Sequence, residues 1–468
     1  MNKAILMHFS LGPIVGALVG AVYVPLLAWV AAPEDIGRNN IFQIALSFST
    51  LFFVLGLDQA YMREYRVVSN KESLFKTCVL PGIVLYLLCW FLGTWIASDI
   101  AFELYETNSQ KAYHLTMGGL LLALIVRYLS ILARLREDGW IYSLLLASPR
   151  LFCVLFICSY VGLGSNIDFS DLLLFSLLGT LFPAVAAVFY YRKFICESLK
   201  AKFEWGFSAQ LLSFGLPLLF SGVIYWILLA SSTVLIKEYS GLESLAIYSL
   251  AVSLAGPAAL LRNIFASVWM PQVYKWIEGK VDLEKIWRIS DDVLAVSIFL
   301  VIVMGFGASF VGKLLPPEYH LVGYILPLAV LVPIFYTLSE VTVIGINISR
   351  KTSATIYIVF VSAAVNIGCG VYLISGYGAV GAVIANAIAY LLFLILRTEV
   401  SCRVWRSFPR MKLYFWVVIC MCAGVVHVCG LYVDSINVFA LWALLSLVYL
   451  FSFRKNMVRM LWFLKVPN

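Results

Sequence analysis

The sequence predicts an all-α integral membrane protein of about fourteen transmembrane helices. Its composition is the first reason. Hydrophobic residues make up 62% of the 468 positions and charged residues 12%, with a mean hydropathy of +0.95. A soluble domain carries roughly 25% charged residues, so a chain this long and this apolar needs the bilayer as its solvent. The second reason is the pattern of the apolar runs. They last about 20 residues without strict alternation, which is the signature of spanning helices and not of a barrel. Only those two structures satisfy the backbone inside a membrane. The third reason is how Lys and Arg alternate between successive loops.

In order, spans are expected near residues 5–30, 41–58, 77–97, 114–133, 140–162, 172–191, 211–235, 246–269, 293–315, 322–348, 354–375, 378–396, 413–432 and 438–453. The first begins after one lysine and lacks a small-residue cleavage site, so it reads as a retained helix. The second closes on the amphipathic stretch GLDQAYMREY. The longest extracytoplasmic loop follows the third, from Ser98 to Tyr113. The fourth contains Arg127, the fifth Pro149 and Arg150, the eighth Arg262 and the tenth Glu340. The basic turn NISRKTSATI precedes the eleventh. Cys420 and Cys422 lie in the thirteenth as apolar filler, and the ten cysteines form no disulfide pattern. The spans group as an N-lobe at 1–205, a C-lobe at 206–400 and a terminal helix pair at 401–468.

Placing both termini in the cytoplasm sorts the charges. Of 33 Lys and Arg residues, four fall in extracytoplasmic loops (Arg38, Lys111, Lys237 and Lys313) and three inside helices (Arg127, Arg150 and Arg262). All the rest lie in cytoplasmic loops and termini, as the positive-inside rule requires. The formal charge of +8 therefore reflects topology, and nucleic acid is not expected as a partner. The loops are too short for a catalytic domain. No nucleotide-binding glycine loop, zinc motif or catalytic triad is present, and no cofactor or metal is expected. The chain reads as a non-enzyme whose transport runs on a gradient.

Two stretches echo each other. Residues 11–66 carry LGPIVGALVGAVYVP, an acidic turn and GLDQAYMREYR. Residues 214–275 carry FGLPLLFSGVIYWIL, SGLESLAIYSLAVS and IFASVWMPQVYK. They begin six helices apart, and an even offset keeps both halves in one orientation, the parallel-repeat design of many transporters. These segments, with NISRKTSATI and GYGAVGAVIANAIAYLLFLILR, resemble Wzx-type polysaccharide (O-antigen) flippases, of the polysaccharide transporter family within the multidrug/oligosaccharidyl-lipid/polysaccharide exporter superfamily. The resemblance runs in order along nearly the whole chain. It implies two six-helix lobes around a central cavity plus two C-terminal helices. It also implies movement of undecaprenyl-pyrophosphate-linked oligosaccharide across the bacterial inner membrane, with a proton or sodium as coupling ion. Membrane lipid, a polysaccharide polymerase and chain-length proteins are the implied neighbours. An Asp-Arg pair often found in the family's seventh helix is replaced here by Ser232 and Thr233, so its role does not carry over. A drug/cation antiporter of the same superfamily is the alternative, and a membrane polymerase or glycosyltransferase is a third reading. Basic intramembrane residues disfavour the antiporter, and short loops disfavour the enzyme.

Intramembrane charges mark functional positions. Arg127 lies about seven residues, or roughly 10 Å, from its helix end, with Arg134 on the same face. Arg127, Arg134, Arg150 and Arg262 are the candidates for binding the pyrophosphate, since arginine stays charged and grips phosphate oxygens in pairs. The competing readings are a backbone partner for Arg150, beside the carbonyl that Pro149 frees, and snorkelling to the cytoplasmic face for Arg262. Trp226 and Tyr336 are the candidates for stacking on sugar rings. Glu340 is expected alone at depth, where an unpaired carboxylate suits ion coupling; the competing reading makes it the static partner of an arginine on another helix. Asp58 and Glu64 are expected to close a cytoplasmic gate by ion pairing.

Overall fold

The computed structural model describes residues 3–164, 167–259, 283–349, 351–433 and 437–465, together with 269, 272–273 and 275–276. Among them the chain is almost wholly helical, and an isolated bridge between Ala31 and Ile167 is its sole extended pairing. In order the helices are α1 (Lys3–Val30), α2 (Pro33–Phe52), α3 (Leu57–Glu64), α4 (Lys71–Gly93), α5 (Ala97–Tyr105), α6 (Gln110–Leu135), α7 (Gly139–Gly162), α8 (Phe169–Tyr190), α9 (Arg192–Lys200) and α10 (Trp205–Leu254). After them come α11 (Leu283–Leu314), α12 (Leu321–Thr342), α13 (Ile344–Ile348), α14 (Thr352–Val404), α15 (Met411–Cys429) and α16 (Val438–Lys465). Side-chain caps start several of them. Asn70 accepts from the Ser73 amide and Ser109 from the Ala112 amide, and Asp168 and Asp171 form a reciprocal capping box.

Among the described residues eleven helices are long and apolar enough to cross a membrane, and α2 with α3, bent by 50°, counts as a twelfth if the pair is one span. Two of the eleven are too long to cross once. At 50 and 53 residues, α10 and α14 would each run about 75–80 Å if straight, against a hydrocarbon core of about 30 Å. Both break at a glycine in the left-handed region, Gly241 (φ 78°) and Gly378 (φ 53°). A side chain at Gly381 would come within 2.1 Å of the Leu373 carbonyl, although eight residues of straight helix span about 12 Å. The chain therefore reverses at Gly378. Counting each broken helix as two crossings is consistent with the fourteen expected, with residues 260–268 of the eighth span lying outside the described residues. The Ser98–Tyr113 region is not an open loop, however, because Ala97–Tyr105 folds as α5. It buries Ala97, Ala101 and Tyr105, one helical face, and the Tyr105 hydroxyl meets Thr116 of α6 at 3.0 Å.

The chain divides into two compact units, Met1–Ala230 and Ser231–Asn468, with the boundary inside α10. In the first unit, α1 lies against α7 through glycines spaced four apart. Gly12 sits on Ser143, Gly16 on the Leu146 carbonyl and Gly20 on the Arg150 guanidinium. Such small-residue stripes replace the hydrophobic driving force that lipid does not supply. A second core joins α3, α4, α6 and α9 around Tyr61, Phe75, Tyr86, Tyr128 and Phe194. The Tyr128 hydroxyl donates to the Cys78 carbonyl at 2.9 Å and that of Tyr86 to the Met117 carbonyl.

In the second unit, α12 is buried on nearly every side and packs against α11, α14 and α15. A helix apolar all round belongs in such a place. The terminal pair α15–α16 is fixed by polar contacts. Trp442 donates to His427 Nδ1 at 2.9 Å, and His427 Nε2 meets the Gly323 carbonyl at 3.2 Å. Lys412 pairs with Asp291 at 2.8 Å and Arg459 with Asp292 at 3.1 Å. All ten cysteines are free.

The charge alternation makes one direct prediction. Reporter fusions after residues 38, 105, 168 and 436 all read as periplasmic. A cytoplasmic signal at any of them breaks the fourteen-crossing topology at that helix pair.

Candidate functional site

Among the described residues, each unit holds an ion pair with an enclosed acid that joins two of its helices. In the first, α2 breaks after Phe52 and the chain turns through Leu55 (φ 56°) and Gly56 (φ 68°) before α3 begins. Gly56 lies directly on the backbone of Gly215, where a side chain would come within 2.1 Å of the carbonyl oxygen. This turn fixes Asp58, which is buried, at the start of α3. Arg127 reaches it from α6, with Nη2 at 2.6 Å from Oδ2. Asp58 also accepts from the Gln59 amide at 2.8 Å. The Arg127 side chain remains 41% exposed while Asp58 is 8% exposed. Nε of Arg127 finds no partner among the described residues. The acid is thus satisfied and enclosed, and the guanidinium remains part-exposed.

In the second unit, Glu340 of α12 accepts from Arg397 of α14 at 2.7 Å, and the same Arg397 nitrogen donates to the Ser339 hydroxyl at 2.8 Å. Both side chains are enclosed, Arg397 at 9% and Glu340 at 15% exposure. The guanidinium lies 4.9 Å from the ring centre of Phe393 and 5.8 Å from that of Tyr336. Beside the pair, Thr398 donates to Thr342 at 2.8 Å, and the Gly345 amide donates to Ser401 at 2.8 Å. Glu340 is therefore not alone at depth, which corrects the expectation of an unpaired carboxylate. The reason is that α14 continues to Val404, so Arg397 lies inside the helix and not at its end.

The other expected residues divide. Arg150 points across to α1, with Nη1 at 3.4 Å from the Gly16 carbonyl. Arg134 is exposed and donates to the Tyr142 hydroxyl at 2.8 Å, apart from the Asp58–Arg127 pair. Glu64 pairs with its neighbour Arg63 at 3.0 Å, so of the two expected gate acids Asp58 alone ties separate helices together. Trp226 donates to Ser47 at 2.9 Å and tilts against Phe48. Tyr336 stacks on Phe393 at 5.8 Å. Arg262 lies outside the described residues. Where Ser232 and Thr233 replace the family's charged pair, both are buried, and Asn366 donates to the hydroxyls of Ser231 at 2.9 Å and Ser232 at 3.3 Å.

Residues 5–276 match the family model described as polysaccharide biosynthesis protein. The chain belongs to that family. No curated protein sequence matches it. Among solved structures, the inward closed conformation of the lipid II flippase MurJ aligns with a TM-score of 0.69 at 13% identity, covering 96% of this chain and 99% of that one. An inward-facing multidrug resistance MATE family transporter of the MOP superfamily aligns at 0.60 and 13% identity, over 86% and 94%. The Vibrio cholerae MATE transporter VcmN D35N mutant aligns at 0.59 and 14% identity, over 88% and 98%. This member of the polysaccharide biosynthesis family thus has the fold of the MOP exporters over most of its length, and it is a multi-pass membrane protein.

Proposed function

We propose that the chain flips undecaprenyl-pyrophosphate-linked oligosaccharide units of O-antigen, capsule or a related polysaccharide from the cytoplasmic to the periplasmic leaflet of the bacterial inner membrane. The observation that carries this reading is Arg127. In a family tied to polysaccharide biosynthesis, a guanidinium among the spanning helices is held by one buried carboxylate while its side chain stays 41% exposed. A pyrophosphate headgroup loses its hydration on entering low dielectric, and a permanently charged, forked donor set offsets part of that loss. Arg150 offers a second cation in the same unit. Proton or sodium exchange supplies the energy, with Glu340–Arg397 as the coupling pair. A drug exporter with cationic substrates would favour an open, unpaired acid, whereas here Asp58 and Glu340 are both enclosed and each is paired with an arginine.

Deletion of the gene tests the reading. Lipid-linked, unpolymerised units then accumulate on the cytoplasmic leaflet, inaccessible to periplasmic probes, and surface polymer is lost. Normal polymer, or units that still reach the periplasmic leaflet in a strain without a second flippase, overturns it.

A further inference from the structure

Away from the Arg127 pair, the first unit contains an open cavity of about 890 Å³ where α3, α6 and α8 end and α4 and α9 begin. Lys71, Arg136, Arg192 and Lys193 line it, with Asp138 as the one acid. Among the described residues none of these four cations makes an ion pair. Aromatic faces hold three of them instead. Arg136 lies 4.3 Å from the ring centre of Phe194 and 5.5 Å from that of Tyr191. Arg192 lies 4.6 Å from Phe189, and Lys71 lies 4.8 Å from Tyr65. A ring face orients a cation through its quadrupole and leaves the N–H edge free. Asp138 is already engaged, accepting from the Tyr191 hydroxyl at 2.6 Å. Burial, with the Asp138 carboxylate beside it, pushes the Tyr191 phenol above its ordinary pKa, so it remains the donor.

The mouth of the cavity indicates the source of an anion. Phe182, Val185 and Phe189 are exposed along one side of α8, the face a spanning helix turns to lipid. Phe189 is on that face and in the lining. The cavity therefore opens where α8 leaves the bilayer, on the side that the charge distribution assigns to the cytoplasm. Basic pockets at that level recognise lipid headgroups.

We propose that this cavity binds the phosphate of a lipid headgroup. The phosphate sits against Arg136, Arg192 and Lys193, and the acyl chains lie along the exposed face of α8. The inference does not rest on the flippase reading, because it concerns binding without transport.

Full-length protein in phosphatidylcholine nanodiscs, titrated with spin-labelled phosphatidylglycerol and separately with inorganic pyrophosphate, tests it. Arg192→Gln with Lys193→Gln, which leaves the buried rings around Arg136 in place, weakens lipid binding by about tenfold or more, given the contribution of each basic residue near the surface. Adding Arg136→Gln removes the remainder. Arg403→Gln with Arg406→Gln, exposed basic residues elsewhere, leaves the affinity within about threefold of the wild type. Unchanged affinity in the Arg192/Lys193 variant overturns the site, and an equal loss in the control variant reduces it to general surface charge. Inorganic pyrophosphate binding as tightly as the lipid overturns the lipid source and makes it a site for soluble anions.

Discussion

Glu340→Gln lowers the stability of the folded chain by about 3–5 kcal/mol, the usual consequence of leaving one member of a buried pair without its partner. The exposed partner is Arg397, a permanent cation enclosed between Phe393, Tyr336 and Ser339, and nothing else among the described residues neutralises it. The readout is a clear fall in the midpoint of thermal unfolding in detergent, with lower membrane levels. Glu340→Gln combined with Arg397→Gln recovers most of the loss, since two neutral polar groups are far less costly to bury than one bare charge. That double variant also addresses function. With coupling at this pair, it is inserted and folded but moves substrate at a rate that no longer changes with an imposed pH gradient. Transport with the wild-type pH profile removes coupling from the pair and leaves it as a clamp between α12 and α14.

The fold was legible because its cause is written locally. Among the described residues the apolar runs long enough to cross the bilayer lie in helices, and the eighth run, 246–269, falls partly outside those residues. Gly241 and Gly378 lie in the turns that the run lengths demanded. What escaped was depth. Arg397 was assigned to a cytoplasmic end because the twelfth apolar run stops at Leu396, yet residues 397–404 contain neither glycine nor proline to stop a helix. That missing stop signal would have placed Arg397 inside and paired Glu340. Likewise Ala101 and Tyr105 continue the helical spacing from Ala97 into what was read as a loop. The Asp58–Arg127 pair was legible as two residues but not as a pair. They are 69 positions apart, and only the turn at Leu55–Gly56, pressed onto Gly215, brings them together. The cavity around Arg136 and Arg192 drew no attention in the sequence, because cations in a basic loop look alike until aromatic faces fix some of them.

Arg127→Ala abolishes flipping, but that result alone decides little, because it also leaves Asp58 buried without its partner. Two designs separate substrate binding from structure. Arg127→Lys keeps a point charge within reach of Asp58 and loses the forked donor set, so it folds normally and retains partial flipping. Arg127→Ala with Asp58→Asn removes both charges, relieving the bare acid. With Arg127 binding pyrophosphate, the double neutral variant reaches normal membrane levels and still does not flip, and substrate affinity in detergent falls with it. With a purely structural or gating pair, restoring neutrality restores flipping. The two outcomes are opposite in the same measurement, accumulation of lipid-linked units on the cytoplasmic leaflet. A double variant that clears those units at the wild-type rate ends the assignment of Arg127 to the substrate.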